Sequence, residues 1–168
     1  EMVKSGLSAG SVQFKHKGFK FQGFGNPVWC YDRFGKSITV LPDGRVIEIA
    51  GEHEDYYDEN FCIYNDVFVF DGKGNFTIYG YPEGTFQPTD FHTATYFEGF
   101  IYIIGNLGYQ RERLVGVTPV YQLNTDTFAI KRLKTTGNKP GWIFRHKAKL
   151  VEDGKIIISG GEINQQAG

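Results

Sequence analysis

Apolar and polar residues alternate along three stretches that share one order. Lys36-Ser37-Ile38-Thr39-Val40-Leu41 runs into Pro42-Asp43-Gly44 and returns as Arg45-Val46-Ile47-Glu48-Ile49-Ala50-Gly51. His92–Phe97 turns at Glu98-Gly99 and returns as Phe100–Gly105. His146–Val151 turns at Glu152-Asp153-Gly154 and returns as Lys155–Gly160. Short strand-like runs on both sides of a Gly-bearing turn predict a hairpin in each case. Lys36, His92 and His146 head the copies, at a period of roughly 55 residues. The first copy continues through a loop, Glu52–Asn65, into strands at Asp66–Asp71 and Phe76–Tyr81. The second continues through Asn106–Pro119 into Val120–Asn124 and Phe128–Leu133. The third reaches Gly168 before its outer pair. No stretch of about ten residues carries a 3.6-residue period, so essentially no helix is expected. A fixed period with four strands per unit predicts an all-β chain of propeller blades, two complete and a third in part.

This divides the chain into a lead-in with a hairpin (1–25) and units at 26–81, 82–133 and 134–168. The hairpin is predicted from Val12/Phe14 and Phe19/Phe21, alternating around Lys15-His16-Lys17-Gly18. Propellers need roughly four to eight blades, and two and a half cannot close a ring. The hairpin, Val12–Phe14 with Phe19–Phe24, has the length to supply the missing outer strands. Two copies exchanging hairpins would form a homodimer, a six-bladed ring with two-fold symmetry. The alternative is that this stretch is part of a longer propeller.

The 22 glycines and 16% aromatic content, set against six prolines, fit tight turns between aromatic-rich strands. A net charge of -1 with scattered Lys and Arg gives no pull toward nucleic acid or an anionic membrane. No apolar run approaches the roughly 20 residues of a membrane helix. EMVKSGLSAG at the start lacks the apolar segment of a secretory leader, which by itself decides little; a cytoplasmic location is expected, with secretion after removal of a signal as the alternative. Cys30 and Cys62 make no CxxC pair and are read as two free thiols. Gly6–Gly10 matches G-x-S-x-G, but no strand-to-helix turn surrounds it.

His92-Thr93-Ala94-Thr95 opening a strand, the pair Gly160-Gly161, and Val120–Asn124 followed by Phe128 resemble the blade of kelch and galactose-oxidase-type β-propellers. The resemblance covers about residues 30–162. The copies depart from the family pattern at Ala50-Gly51 and Gly105-Asn106, and Phe76 and Phe128 stand where the family has tryptophan. The resemblance implies an innermost strand with small residues such as Ala94 and Ala148, and wedge-filling by Phe76 and Phe128. It also implies that the long loops, 52–65, 81–91, 106–119 and 134–145, share one face.

Long loops on a rigid scaffold are where binding resides. They carry Trp142, Arg145, Tyr109, Arg111, Arg113, Tyr56 and Tyr57, of the types enriched at binding hot spots. The expected function is therefore non-catalytic binding of a protein or peptide through this face, with neither metal nor cofactor. The rival reading is a carbohydrate-active or carbohydrate-binding propeller, with Arg145 and Glu52 around a central pocket. The acidic run Glu52–Glu59 reads as a solvated loop, since its spacing is not that of a calcium loop. His92 and His146 are expected to bond locally rather than ligate. Cys30 beside Tyr31 and Cys62 near Tyr64 offer the residue types of a Cys–Tyr radical cofactor without its arrangement.

Overall fold

The computed structural model describes residues 29–53 and 61–165, together with Val3. The expected hairpin at 12–24, Tyr56, Tyr57 and the G-x-S-x-G match lie outside the described residues. Among the described residues from 29 onward the fold is all-β, with helix confined to two 3-10 turns at Gln110–Glu112 and Glu152–Gly154.

The first sheet is built from β1 (Ser37–Val40) and β2 (Val46–Ile49), a small ribbon of β3 (Glu52–His53) and β4 (Cys62–Ile63), then β5 (Asp66–Phe70) and β6 (Phe76–Gly80). Its order is β1-β2-β5-β6, antiparallel throughout. The second sheet repeats this plan with β7 (Thr93–Phe97), β8 (Phe100–Ile104), β9 (Val120–Asn124) and β10 (Ile130–Arg132). In the third unit β11 (Trp142–Phe144) precedes β12 (Lys147–Val151), β13 (Lys155–Ser159) and β14 (Glu162–Asn164). β12 pairs with β13 and β11 with β14. Within the three units each predicted hairpin falls within a residue or two of its expected place. The ribbon β3–β4 and the pair β11–β14 occupy segments where loops were expected.

The core sits between the first two sheets and follows from the alternation. Ile47, Ile49, Val67 and Val69 project from one side to meet Ile101, Ile103, Tyr121 and Leu123 from the other. Phe86 is fully buried between them, edge-on to Tyr121 at 5.0 Å. Phe128 fills the wedge as expected of it, stacked on Tyr79 of the first sheet at 4.5 Å. It does so from a turn with φ +55° rather than from a strand. Phe76 instead packs against Phe70, its cross-strand partner, at 6.0 Å.

β7 lies between β1 and β12, so the first strands of the three units are neighbours. The same hydrogen bonds recur at both junctions. The Phe91 amide donates to the Gly35 carbonyl, and the Arg145 amide to the Phe91 carbonyl, each at 2.8 Å. Gly35, Phe91 and Arg145 are repeat-equivalent, and all three are left-handed, at φ +64°, +48° and +54°. The Gly51 amide donates to Thr89 O and the equivalent Asn106 amide to Ile143 O, each at 2.9 Å. Ser37 Oγ meets His92 Nε2 at 2.7 Å, and Thr93 Oγ1 meets His146 Nε2 at 2.9 Å. The two histidines therefore link one unit to the previous one, not locally. Gly105 is required at its place: at φ +79°, a Cβ there would lie 2.5 Å from His146 Cε1 and from Ile143 O.

Candidate functional site

The long loops leave the first two units at one end, and their roots meet in one hydrogen-bonded group. Asn106 stands where the other units have Gly51 and Gly161, and its side chain is fully buried. Its Oδ1 accepts from the Asp90 amide and its Nδ2 donates to Pro88 O, both at 3.0 Å. The chain then folds back over it through Gly108, φ +63°, where a Cβ would lie 2.7 Å from Asn106 Nδ2. This brings the Gly108 amide to Asp90 Oδ1 at 2.6 Å. Asp90 is fully buried, and burial raises its pKa above the usual carboxylate value. Glu52, opening β3, lies at the same junction, its neighbour Gly51 bonded to Thr89 O beside Asp90.

Arg113 clamps the same loop, donating from Nε to Leu107 O at 2.9 Å and from a terminal nitrogen to Gly108 O at 3.0 Å. Tyr109 is half-buried: its hydroxyl accepts from the Ile63 amide at 2.9 Å and its ring meets Phe61 edge-on at 6.1 Å. Arg111 lies over the Tyr109 ring at 5.6 Å with its side chain 80% exposed. Trp142 is fully buried in β11, and its indole donates to Leu107 O at 3.2 Å. Its role is to support the 106–119 loop from beneath, because a strand side chain with no exposed area cannot face a partner. Arg145 takes other partners, stacked over Phe91 at 4.6 Å and bonded to Glu162 at 3.0 Å. The structure thus gathers Glu52, Tyr109, Arg113 and Trp142 around one loop. Arg111 and Arg145 are its exposed cations.

Two features escape a residue-by-residue reading. The first is Asp90, although its column in the repeat holds Phe34 and Phe144, and an acid in an apolar column is a usable signal. The second is a buried ion pair at the start of β5. Arg33 bonds Asp66 through both terminal nitrogens, lies over the Tyr64 ring at 3.5 Å, and donates to Cys30 O. Trp29 donates to the same Asp66 carboxylate at 3.1 Å. Thirty-three residues separate this pair, so no local pattern announces it. Cys30 and Cys62 flank Tyr64 as free thiols, and burial pushes the Cys62 pKa up, away from the reactive thiolate.

Two surface concavities lined by described residues lie beside the short turns. One, of about 630 Å³, is lined by Lys149, Leu150, Val151, Glu152 and Lys155. The other, of about 220 Å³, lies between β9 and β10 near Thr127. Among the described residues no helix is long and apolar enough to cross a membrane. No protein-family model matches the chain, and no curated protein matches it.

Proposed function

We propose that this chain is a run of kelch-type propeller blades that binds a protein or peptide through the face carrying its long loops. The observation that carries this reading is the repetition at both junctions of one set of inter-sheet bonds, with the first strands of the units side by side. Units related in that way present equivalent loops on one side. A single blade cannot bury both faces, so stability rests on such junctions. The loop roots are held by buried groups, Asn106, Asp90 and Trp142, while Arg111 and Arg145 stay accessible over aromatic rings. Arg and aromatic residues are among the types enriched at binding hot spots, and here the two arginines sit on a firmly held base.

The outward face of the first sheet supports a further blade there. It carries Ile38, Val40, Phe68 and Phe70 at the positions equivalent to Ala94, Tyr96, Tyr121 and Leu123, which the second sheet packs into the core. Ile38 and Val40 are 59% and 69% exposed.

The test is selection of peptides from a displayed library against the 168-residue chain, followed by titration of the Arg111→Ala/Arg145→Ala variant. The reading predicts at least a tenfold loss of affinity with an unchanged unfolding midpoint. Undiminished binding would overturn the placement of the site, and glycan-array binding in place of peptide binding would favour the carbohydrate reading.

A further inference from the structure

The second strand of each unit lies inside its sheet in the first two units and at an edge in the third. β2 pairs with β5 and β8 with β9, whereas β13 pairs only with β12 among the described residues. The far side of Lys155–Ser159 therefore presents the main-chain donors and acceptors of an open sheet edge, on the side where the other two sheets continue. The face beside this edge also changes chemistry. By register, Ser37 and Thr39 of β1 correspond to Thr93 and Thr95 of β7 and to Lys147 and Lys149 of β12. Two hydroxyls in each earlier unit become two lysines in the third.

Cross-strand pairing puts Lys155, Ile157 and Ser159 on the same face as Lys147 and Lys149. The three lysines are exposed, and Ile157 between them is 55% exposed. Lys155 meets Asp153 at 3.8 Å, and Lys147 and Lys149 meet no carboxylate among the described residues. Lys149 and Lys155 also wall the 630 Å³ concavity on this hairpin. The charge decides what the edge accepts. A second copy of β13, paired antiparallel, would bring both sets of lysines onto one face, so this edge repels its own kind. A strand that carries carboxylates on that face is attracted.

We propose that the open edge of β13 takes up an extended acidic peptide of another protein, added as an antiparallel strand with its carboxylates toward Lys149 and Lys155. The pairing of β8 with β9 supplies the register. The place of Asn124 falls opposite Lys155, that of Gln122 opposite Ile157, and that of Val120 opposite Ser159. Lys149 lies two strand spacings from the added strand, about 10 Å, which a lysine and a glutamate span together. The places of Tyr121 and Leu123 fall on the other face, opposite the half-buried Ile158 and Ile156, and suit apolar residues. The inference rests on the edge and its lysines, not on the long-loop reading.

The probe is a synthetic peptide with the sequence of Val120–Leu133, the hairpin of β9 and β10, carrying Gln122→Glu, Asn124→Glu and Lys131→Glu. Its counterpart carries Gln122→Lys and Asn124→Lys. Titrated into the 168-residue chain at low salt and followed by NMR, the acidic probe should shift and protect the amides of β13. It should bind about tenfold more tightly than the basic one, from opposite in place of like charges across the strands. In the Lys149→Glu/Lys155→Glu chain, whose substitutions are both at exposed positions, the preference should reverse. Failure of the acidic probe to bind, equal binding of the two, or a preference unchanged in the double variant would overturn the proposal. So would shifts confined to residues away from β13, or dimerisation through β13 without probe.

Discussion

Acidification should unlock the histidine links between units, and the size of the effect follows from their burial. His92 and His146 each use Nε2 for a hydroxyl of the preceding unit, and Nδ1 of each is buried without a partner. Protonation would place a second N–H where no acceptor waits. Burial accordingly lowers the His92 pKa to about 3, with the neighbouring His146 contributing, and lowers that of His146 as well. The unfolded chain binds this proton near pH 6.5, so below that value it holds more protons than the folded one. Stability from His92 is thus complete above about pH 6.5 and is lost as pH falls toward 3. Between pH 7.5 and 5.0 the loss from His92 alone is about 2 kcal/mol, from some 1.5 pH units at 1.36 kcal/mol each. The assay is urea unfolding at the two pH values for the wild type and His92→Gln, which cannot titrate. Asp90 and every other titrating group are common to both proteins and cancel in the difference. A pH dependence of His92→Gln as steep as that of the wild type would refute the reasoning.

Three further outcomes follow from particular contacts. Gly105→Ala should cost about 3 kcal/mol, from left-handed strain together with the 2.5 Å approach to His146 and Ile143. Gly99→Ala, at φ +81° with nothing within 4 Å, should cost only about 1–2 kcal/mol, and equal melting shifts would count against the close packing of that junction. Asp66→Asn should cost about 3–5 kcal/mol in urea titration, because it leaves the buried Arg33 guanidinium uncompensated. In Trp29→Phe, which leaves Trp142 as the sole tryptophan, emission should be blue-shifted and resistant to iodide; strong quenching would contradict its burial.

Local pattern was enough for the hairpins. Pro42-Asp43-Gly44, Glu98-Gly99 and Glu152-Asp153-Gly154 sit between alternating runs, and both signals act over a few residues. Gly141 and Pro140 before Trp142-Ile143-Phe144 disguised β11 as loop, because its pairing with β14 is decided by tertiary contact. The same loop assignment made Trp142 look accessible, since residue type does not reveal burial. The bonds that join units run between residues 53 and 55 positions apart. They become visible only when the copies are superposed and each column is compared. That comparison also exposes Asp90 among phenylalanines and Asn106 among glycines, the two substitutions that build the group beneath the loops.

The three units dock through repeated bonds at the entrances to their first strands. Phe91 and Arg145 lie outside the strands, and their amides donate only across junctions, to Gly35 O and Phe91 O. Amide hydrogen exchange at these two positions is therefore the most direct measurement. The account predicts exchange nearly as slow as at Ile101 and Ile103 in the core of β8. Exchange of Phe91 and Arg145 at the rate of an open loop, while Ile101 and Ile103 stay protected, would contradict it.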